Sequence, residues 1–273
     1  MAYLTLNDGC PLWYSDDGTG PVVVMLQGLQ FPGGYFWQKV ITPLAEHNRV
    51  ITIDLRGQGL SGKSIGGHSI AGNADDLAEA LEILGIDDVL LLGVAYGGMV
   101  ALTYLERHGA GRLRGLCLSE MTPRLTNADE WPHPTFGDFT AQAGASFVAG
   151  VRADRTAALG GFLMASFAVL PDPATLADMT AQTWLTPTET VATLIADMVE
   201  QDYRAIIPTI TLPTLLVYGR TNNPVMPGPV GRWIAAAIRG SQLVELETAG
   251  HSPFWDDPSG FAAAVNDFAA ARP

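Results

Sequence analysis

The chain has 273 residues, of which 48% are hydrophobic, so it can bury a large core and is long enough for one domain with an insertion. Its net charge is −13, from 28 acidic and 15 basic residues without a Lys/Arg cluster, which argues against nucleic acid and anionic membranes as partners. We see neither an apolar run of about 18 residues nor a signal-peptide pattern, and we expect a cytoplasmic protein. Cys10 and Cys117 fall in predicted strands and are interpreted as free core thiols.

Buried strands alternate with helices along most of the chain. Helices are predicted at 71–84 and 99–107, and the apolar runs that predict strands lie at 22–26, 50–54, 89–92, 113–118, 214–218 and 242–246. This alternation is typical of an α/β protein with a mostly parallel sheet covered by helices on both faces.

The turn between strand 89–92 and helix 99–107 has the pattern of an esterase nucleophile elbow. Residues 93–98 read Gly-Val-Ala-Tyr-Gly-Gly, and Gly93 and Gly97 fit a strained strand-to-helix turn. Such a turn presents its central side chain beside a helix N-terminus. In the Gly-x-Ser-x-Gly form the central residue is the nucleophile, whereas Ala95 has no atom able to attack a substrate.

Three further motifs follow strands in a fixed order. Gln-Gly-Leu occupies 27–29, Asp-Leu-Arg-Gly-Gln-Gly-Leu-Ser occupies 54–61, and Gly-His-Ser-Pro occupies 250–253. With the elbow, these motifs make the chain resemble the α/β-hydrolase superfamily over nearly its whole length from Val22. The resemblance implies an eight-stranded, mostly parallel sheet with a helical cap inserted after strand six.

The cap is predicted at 121–203, between core segments 1–120 and 204–273. Helical spacing is visible at 141–151, 156–168 and 188–203, among many aromatic residues. Because a cap of this family covers the catalytic pocket, we expect some aromatics to line an apolar cavity, although core packing is the alternative for each one. The candidate wall residues are Gly28, Trp131, Phe136, Phe162 and Trp184.

His251 is the candidate general base, because it lies in the loop that carries the catalytic histidine in the family. The family usually has an Asp after strand seven, but residues 219–224 read Gly-Arg-Thr-Asn-Asn-Pro. Asn222 or Asn223 can bond an imidazole but cannot stabilise its positive charge. Glu120, at the end of predicted strand six, resembles the relocated acid of lactonases of the zearalenone-hydrolase kind. Its alternative role is to cap the first turn of the cap.

The resemblance also implies an oxyanion hole made by the backbone N–H groups of Tyr96 and Leu29. Gln27 stands where the family usually has a histidine, and we expect it to replace the hydrogen bonds of that residue. The alternative is that Gln27 belongs to a specialised pocket.

The alanine at position 95 leaves three functional hypotheses open. We expect a hydrolase of a small apolar ester or lactone whose serine belongs at position 95, with alanine introduced by engineering. Alternatively, the native chain lacks a nucleophile and uses His251 and Glu120 as a cofactor-free dioxygenase, cyclase or lyase. The third hypothesis is a non-catalytic binder of a small ligand. We expect an uncharged or weakly polar ligand and neither a metal nor an organic cofactor, and the sequence is compatible with a homodimer.

Overall fold

The fold is built on one eight-stranded sheet, seen in a computed structural model that describes residues 2–64 and 66–271. The strand order is β1-β2-β4-β3-β5-β6-β7-β8. The pairs β1–β2 and β2–β4 are antiparallel and the others are parallel. The strands are β1 (Ala2–Thr5), β2 (Pro11–Asp17), β3 (Val22–Leu26), β4 (Arg49–Ile53), β5 (Val89–Val94), β6 (Leu113–Ser119), β7 (Thr214–Gly219) and β8 (Gln242–Leu246).

Helices cover both faces of this sheet, as the sequence predicted. Consecutive residues of β3 point to opposite faces, so that Val24 and Leu26 join one apolar core and Val23 and Met25 join the other. The helices are α1 (Gly33–Phe36), α2 (Ile41–Ala45), α3 (Ile70–Ile83), α4 (Tyr96–His108), α5 (Ala141–Ala153), α6 (Arg155–Ala165), α7 (Pro173–Thr183), α8 (Thr188–Glu200), α9 (Pro229–Ala237), α10 (Pro253–Asp256) and α11 (Pro258–Ala270).

The predicted α/β architecture is confirmed, and the six predicted strands correspond to β3 through β8. The placement of Cys10 in a strand was wrong, because Cys10 lies in the turn between β1 and β2, where its N–H donates to Asp8 Oδ1 (2.9 Å). Both cysteines are buried and free. Within the described chain the longest helix is α3, with 14 residues, and no helix is long and apolar enough to span a bilayer.

Four helices, α5 to α8, lie between β6 and β7, inside the segment predicted as a cap. Residues of α5, α6 and α8 form a small apolar core of their own. Helix α7 was not predicted, because its sequence lacks a strong apolar period. Its start is stabilised by Asp172, whose side chain accepts the N–H groups of Ala174 and Thr175, and by Pro173 in the first turn.

Candidate active site

The turn between β5 and α4 holds Ala95 in a strained backbone conformation, with φ 48° and ψ −110°. A Cβ at Gly93 would lie 2.4 Å from the carbonyl oxygen of Gly97, and a Cβ at Gly97 would lie 2.4 Å from that of Leu26. Only glycine therefore fits these two positions. A non-glycine residue in such a conformation costs about 1–3 kcal/mol. The strain of a nucleophile elbow is therefore present although Ala95 carries no nucleophile.

A histidine–carboxylate pair lies next to this turn. His251 Nδ1 is 3.0 Å from Glu120 Oε2, and both side chains are buried. Glu120 directly follows β6 and has φ 47°. Its Oε1 also accepts the N–H of Gly219 (2.6 Å). Hydrogen bonds of this kind reduce the cost of burying a carboxylate.

The hydrogen bonds of the two asparagine side chains after β7 go to groups other than His251. Asn223 Nδ2 donates to Glu120 Oε2 (2.8 Å), and Asn222 Nδ2 donates to the carbonyl oxygen of Ala168 (3.1 Å). The loop that usually carries the acid in the family thus supplies a hydrogen-bond donor to a carboxylate on the neighbouring strand. Sequence reasoning missed this contact, because it considered the asparagines only as partners of the imidazole.

The backbone N–H groups of Leu29 and Tyr96 are the predicted donors of an oxyanion hole. Both residues line the same cavity as Ala95 and His251, and α4 begins at Tyr96. Neither N–H has a hydrogen-bond acceptor among residues 2–64 and 66–271. Free N–H groups at a helix N-terminus, joined by one from the loop after β3, can hold the negative oxygen of a tetrahedral intermediate.

The cavity above Ala95 is apolar and has a volume of about 150 Å³. It contains Gly28, Phe136 and Phe162 of the predicted wall, and the Phe162 ring meets the His251 ring nearly edge-on at 5.9 Å. Sequence reasoning missed the aromatic residues beside the Leu29 and His251 motifs, although their proximity to those motifs was a usable signal. These are Phe31, Tyr35, Phe36, Phe254 and Trp255.

Comparison with known proteins agrees with this geometry. The sequence profile of the family described as "alpha/beta hydrolase fold" matches residues 21–258. The chain belongs to the α/β-hydrolase fold family. A pimeloyl-[acyl-carrier protein] methyl ester esterase of Yersinia pseudotuberculosis is 28% identical over 260 residues, which cover 94% of this chain and 96% of that protein.

Solved structures similar to this α/β hydrolase include an esterase and a lactonase. The esterase from Exiguobacterium antarcticum has a TM-score of 0.91 and 26% identity, covering 98% of this chain and 99% of that one. The enol-lactonase from Burkholderia xenovorans has a TM-score of 0.84 and 25% identity, covering 98% and 100%. By their names, these similar proteins are ester or lactone hydrolases.

Two predicted wall residues of the α/β hydrolase lie elsewhere. Trp131 is buried in the main core, where it packs edge-on against Trp233 at 5.3 Å and its Nε1 donates to the carbonyl oxygen of Arg124 (3.0 Å). Trp184 is 54% exposed and lies against the guanidinium of Arg155. The aromatic content of the segment could not show which faces of its helices and loops turn toward the cavity.

Gln27 does not replace the hydrogen bonds expected of a histidine at its position. The side chain is fully buried, and neither its amide oxygen nor its amide nitrogen has a partner in the described part of the chain. An unsatisfied buried amide costs about 1–3 kcal/mol. The expectation failed because the glutamine amide reaches no complementary group in this packing.

Asp256 links the histidine loop to the α6–α7 loop. Its Oδ2 accepts the N–H of Gly250 (2.8 Å), which precedes His251, and the N–H of Ala168 (2.9 Å). Burial raises the pKa of the Asp256 carboxyl, while these two N–H groups and Lys39 oppose that rise. The position of His251 is therefore tied to the helical segment that covers the cavity.

Proposed function

We propose that the form of this α/β hydrolase with serine in place of Ala95 cleaves a small, uncharged ester or lactone. In it His251 is the general base and Glu120 is the acid that orients His251. The observation that carries the proposal is the buried His251–Glu120 pair, 3.0 Å apart, beside the strained elbow of Ala95. Burying a carboxylate and an imidazole in an apolar site is costly, which favours a chemical role for this pair.

The reaction would follow the order of a serine hydrolase. The serine oxygen attacks the ester carbonyl while His251 takes its proton, and Leu29 and Tyr96 N–H groups bind the resulting oxyanion. The C–O bond then breaks, and His251 returns the proton to the leaving alcohol. Water activated by His251 hydrolyses the acyl-enzyme and releases the acid. With Ala95 the covalent step is absent, and the chain is left able to bind substrate.

The cavity supports a small apolar substrate. Its described lining contains many aromatic side chains and, as polar groups, chiefly hydroxyls, Gln30 and His251. Its volume of about 150 Å³ matches that of an engineered apolar cavity in another protein that binds benzene. We propose an acyl or alcohol group of about the size of one ring. The net charge of −13 would further disfavour anionic substrates at low salt.

The test is to restore the serine with Ala95→Ser. The variant is expected to hydrolyse p-nitrophenyl acetate and phenyl acetate and to be labelled by a fluorophosphonate probe. The Ala95 protein and the double variant Ala95→Ser/His251→Ala serve as controls and should show neither labelling nor turnover above background. A folded Ala95→Ser protein that is not labelled and hydrolyses no ester would contradict the proposal.

The second candidate function is favoured by Ala95 itself. The His251–Glu120 pair is complete without a nucleophile, so it can act as a base on a bound substrate in a serine-independent reaction. This candidate predicts that the Ala95 protein converts a ligand in a His251-dependent way while Ala95→Ser remains inactive toward esters.

A further inference from the structure

Gln30 follows Leu29, the candidate oxyanion donor, and has a left-handed backbone with φ 75°. Its N–H donates to Gln58 Oε1 (2.6 Å), and its carbonyl oxygen accepts from Thr186 Oγ1 (2.9 Å). Both main-chain groups of a buried residue are therefore held by side chains. Because φ 75° is costly for glutamine, this conformation depends on the contacts around it.

The side chain of Gln30 is held by a residue of the helical segment over the cavity. Arg155, the first residue of α6, donates from Nη2 to Gln30 Oε1 (3.0 Å). The same guanidinium donates from Nη1 to the carbonyl oxygen of Thr186 (2.6 Å) and from Nη2 to that of Thr183 (2.6 Å). Arg155 thus joins α6, the end of α7 and the loop before α8 to the loop that carries Leu29.

Arg155 differs from the other arginines of this segment in how its charge is balanced. It is 5% exposed, and no carboxylate among the described residues lies within ion-pair distance of it. Burial lowers the pKa of Arg155. Arg152, three residues earlier, is exposed and pairs with Glu189 (2.7 Å). The hydrogen bonds of Arg155 go only to carbonyl and amide oxygens, and the Trp184 ring lies against its guanidinium. Burying a cation without a carboxylate partner is costly, so we ask what these hydrogen bonds hold in place.

We propose that Arg155 is a positioning residue that couples the seating of the helical segment over the cavity to the geometry of the oxyanion hole. The inference rests on the proposed function. With the segment in place, Arg155 and Thr186 fix Gln30 and so keep the Leu29 N–H in a fixed position relative to the Tyr96 N–H. The oxyanion charge develops only in the transition state, so loss of this relative position lowers kcat more than it raises KM.

The first experiment changes Arg155→Met in the Ala95→Ser protein. The expected result is a fall in kcat of about 10- to 100-fold with KM for phenyl acetate changed less than about threefold. Arg155→Lys keeps a charged N–H donor but loses the planar arrangement of guanidinium donors, so it should have a higher kcat than Arg155→Met. The matched control is Arg152→Met, which should leave both constants unchanged. A kcat unaffected by Arg155→Met would overturn the proposal, and so would a change confined to KM.

A second variant keeps the test valid if Arg155→Met fails to fold. Gln30→Met removes the Oε1 acceptor and leaves both main-chain bonds of residue 30 in place. It should lower kcat by about 10- to 100-fold, whether or not Arg155→Met folds. Where Arg155→Met folds, the double variant should be as active as the less active single variant, because both changes remove the same interaction. Additive losses in kcat would show that Arg155 and Gln30 act independently and would contradict the coupling.

The proposal can fail separately from the proposed function. If Ala95→Ser hydrolyses no ester, the hydrolase assignment fails, and the coupling is then measured in the Ala95 protein by hydrogen exchange. The amides of residues 29–31, among them the Gln30 N–H bonded to Gln58, should exchange at least about tenfold faster in Arg155→Met, which corresponds to about 1.4 kcal/mol. Arg152→Met should not change them. Unchanged exchange in Arg155→Met would overturn the coupling.

Discussion

At the scale of single residues, the site is organised around the carboxylate of Glu120. Three donors converge on it: the imidazole of His251, the amide of Asn223 and the N–H of Gly219. A carboxylate held by this many donors has a fixed position and can orient the imidazole. The chemistry that other members of the family assign to an acid after β7 is thus compatible with one after β6, because both strand ends lie at the same edge of the sheet.

Removing the charge of Glu120 should affect catalysis far more than removing the Asn223 donor that hydrogen-bonds it. In the Ala95→Ser protein, Glu120→Gln should lower kcat by about 10³- to 10⁴-fold, because the amide favours the wrong imidazole tautomer and does not stabilise the imidazolium. Asn223→Ala should lower kcat by less than about tenfold, because one donor of three is lost. Steady-state hydrolysis of phenyl acetate measures both. Equal losses in the two variants would contradict the assignment of Glu120 as the acid.

At the scale of elements, the elbow depends on the close approach of β5, α4 and the end of β3. Gly97 is the second residue of α4 and lies directly against the backbone of Leu26. A Cβ added at Gly98 would lie 2.9 Å from Met121 Cβ. These approaches place the helix N-terminus at the edge of the sheet. The same closeness explains why the first turn of α4 tolerates no side chain at Gly97.

Two helical glycines test this interpretation as a matched pair. Gly97→Ala places a Cβ 2.4 Å from a backbone oxygen and should destabilise the fold by about 2–4 kcal/mol. Gly160→Ala, in α6, meets no atom within 4 Å and should stabilise the protein by about 0.5–1 kcal/mol. Urea unfolding monitored by circular dichroism gives both values. A Gly97→Ala protein as stable as the unmodified chain would show that the backbones do not approach so closely.

At the scale of the whole molecule, the helical segment and the sheet enclose one apolar cavity between them. The segment is attached on two sides of the site: through Arg155 to the Leu29 loop and through Ala168 and Asp256 to the His251 loop. The binding of substrate, the position of the base and the geometry of the oxyanion hole therefore depend on the same helices.

Ligand binding to the Ala95 protein should be visible as thermal stabilisation. A neutral ester such as phenyl acetate at about 100 times its Kd should add about 2.7 kcal/mol, which raises Tm by about 5–10 °C for a chain of this size. Phe162→Ala, which removes a ring beside His251, should reduce the shift. Met164→Ala, an exposed position in the same helix, should retain it. Differential scanning fluorimetry measures the shifts. An equal reduction in both variants, or a larger shift with phenyl phosphate, would contradict an apolar site at Phe162.

The sequence by itself determined the features that depend on local geometry and on the order of motifs. The parallel strands follow from apolar runs separated by helices, and the elbow follows from Gly93 and Gly97 around Ala95, because backbone sterics act within a few residues. His251 and Glu120 were predicted as a pair from the resemblance to the family, because His251 lies in the histidine motif and Glu120 lies where some members place the acid. The position of Glu120 at the end of a parallel strand supported this prediction.

Only the tertiary structure decided which side chains share that edge. Asn223 contacts Glu120 across 103 positions of sequence and Arg155 contacts Gln30 across 125, and neither contact follows from a local pattern. The same holds for Trp131 and Trp184, which were predicted to line the cavity because the segment is rich in aromatic residues. In the structure Trp131 is buried in the core and Trp184 is exposed at the surface. The physical reason is that the rotation of each helix and the path of each loop are set by packing against distant residues, which amino-acid type alone does not specify.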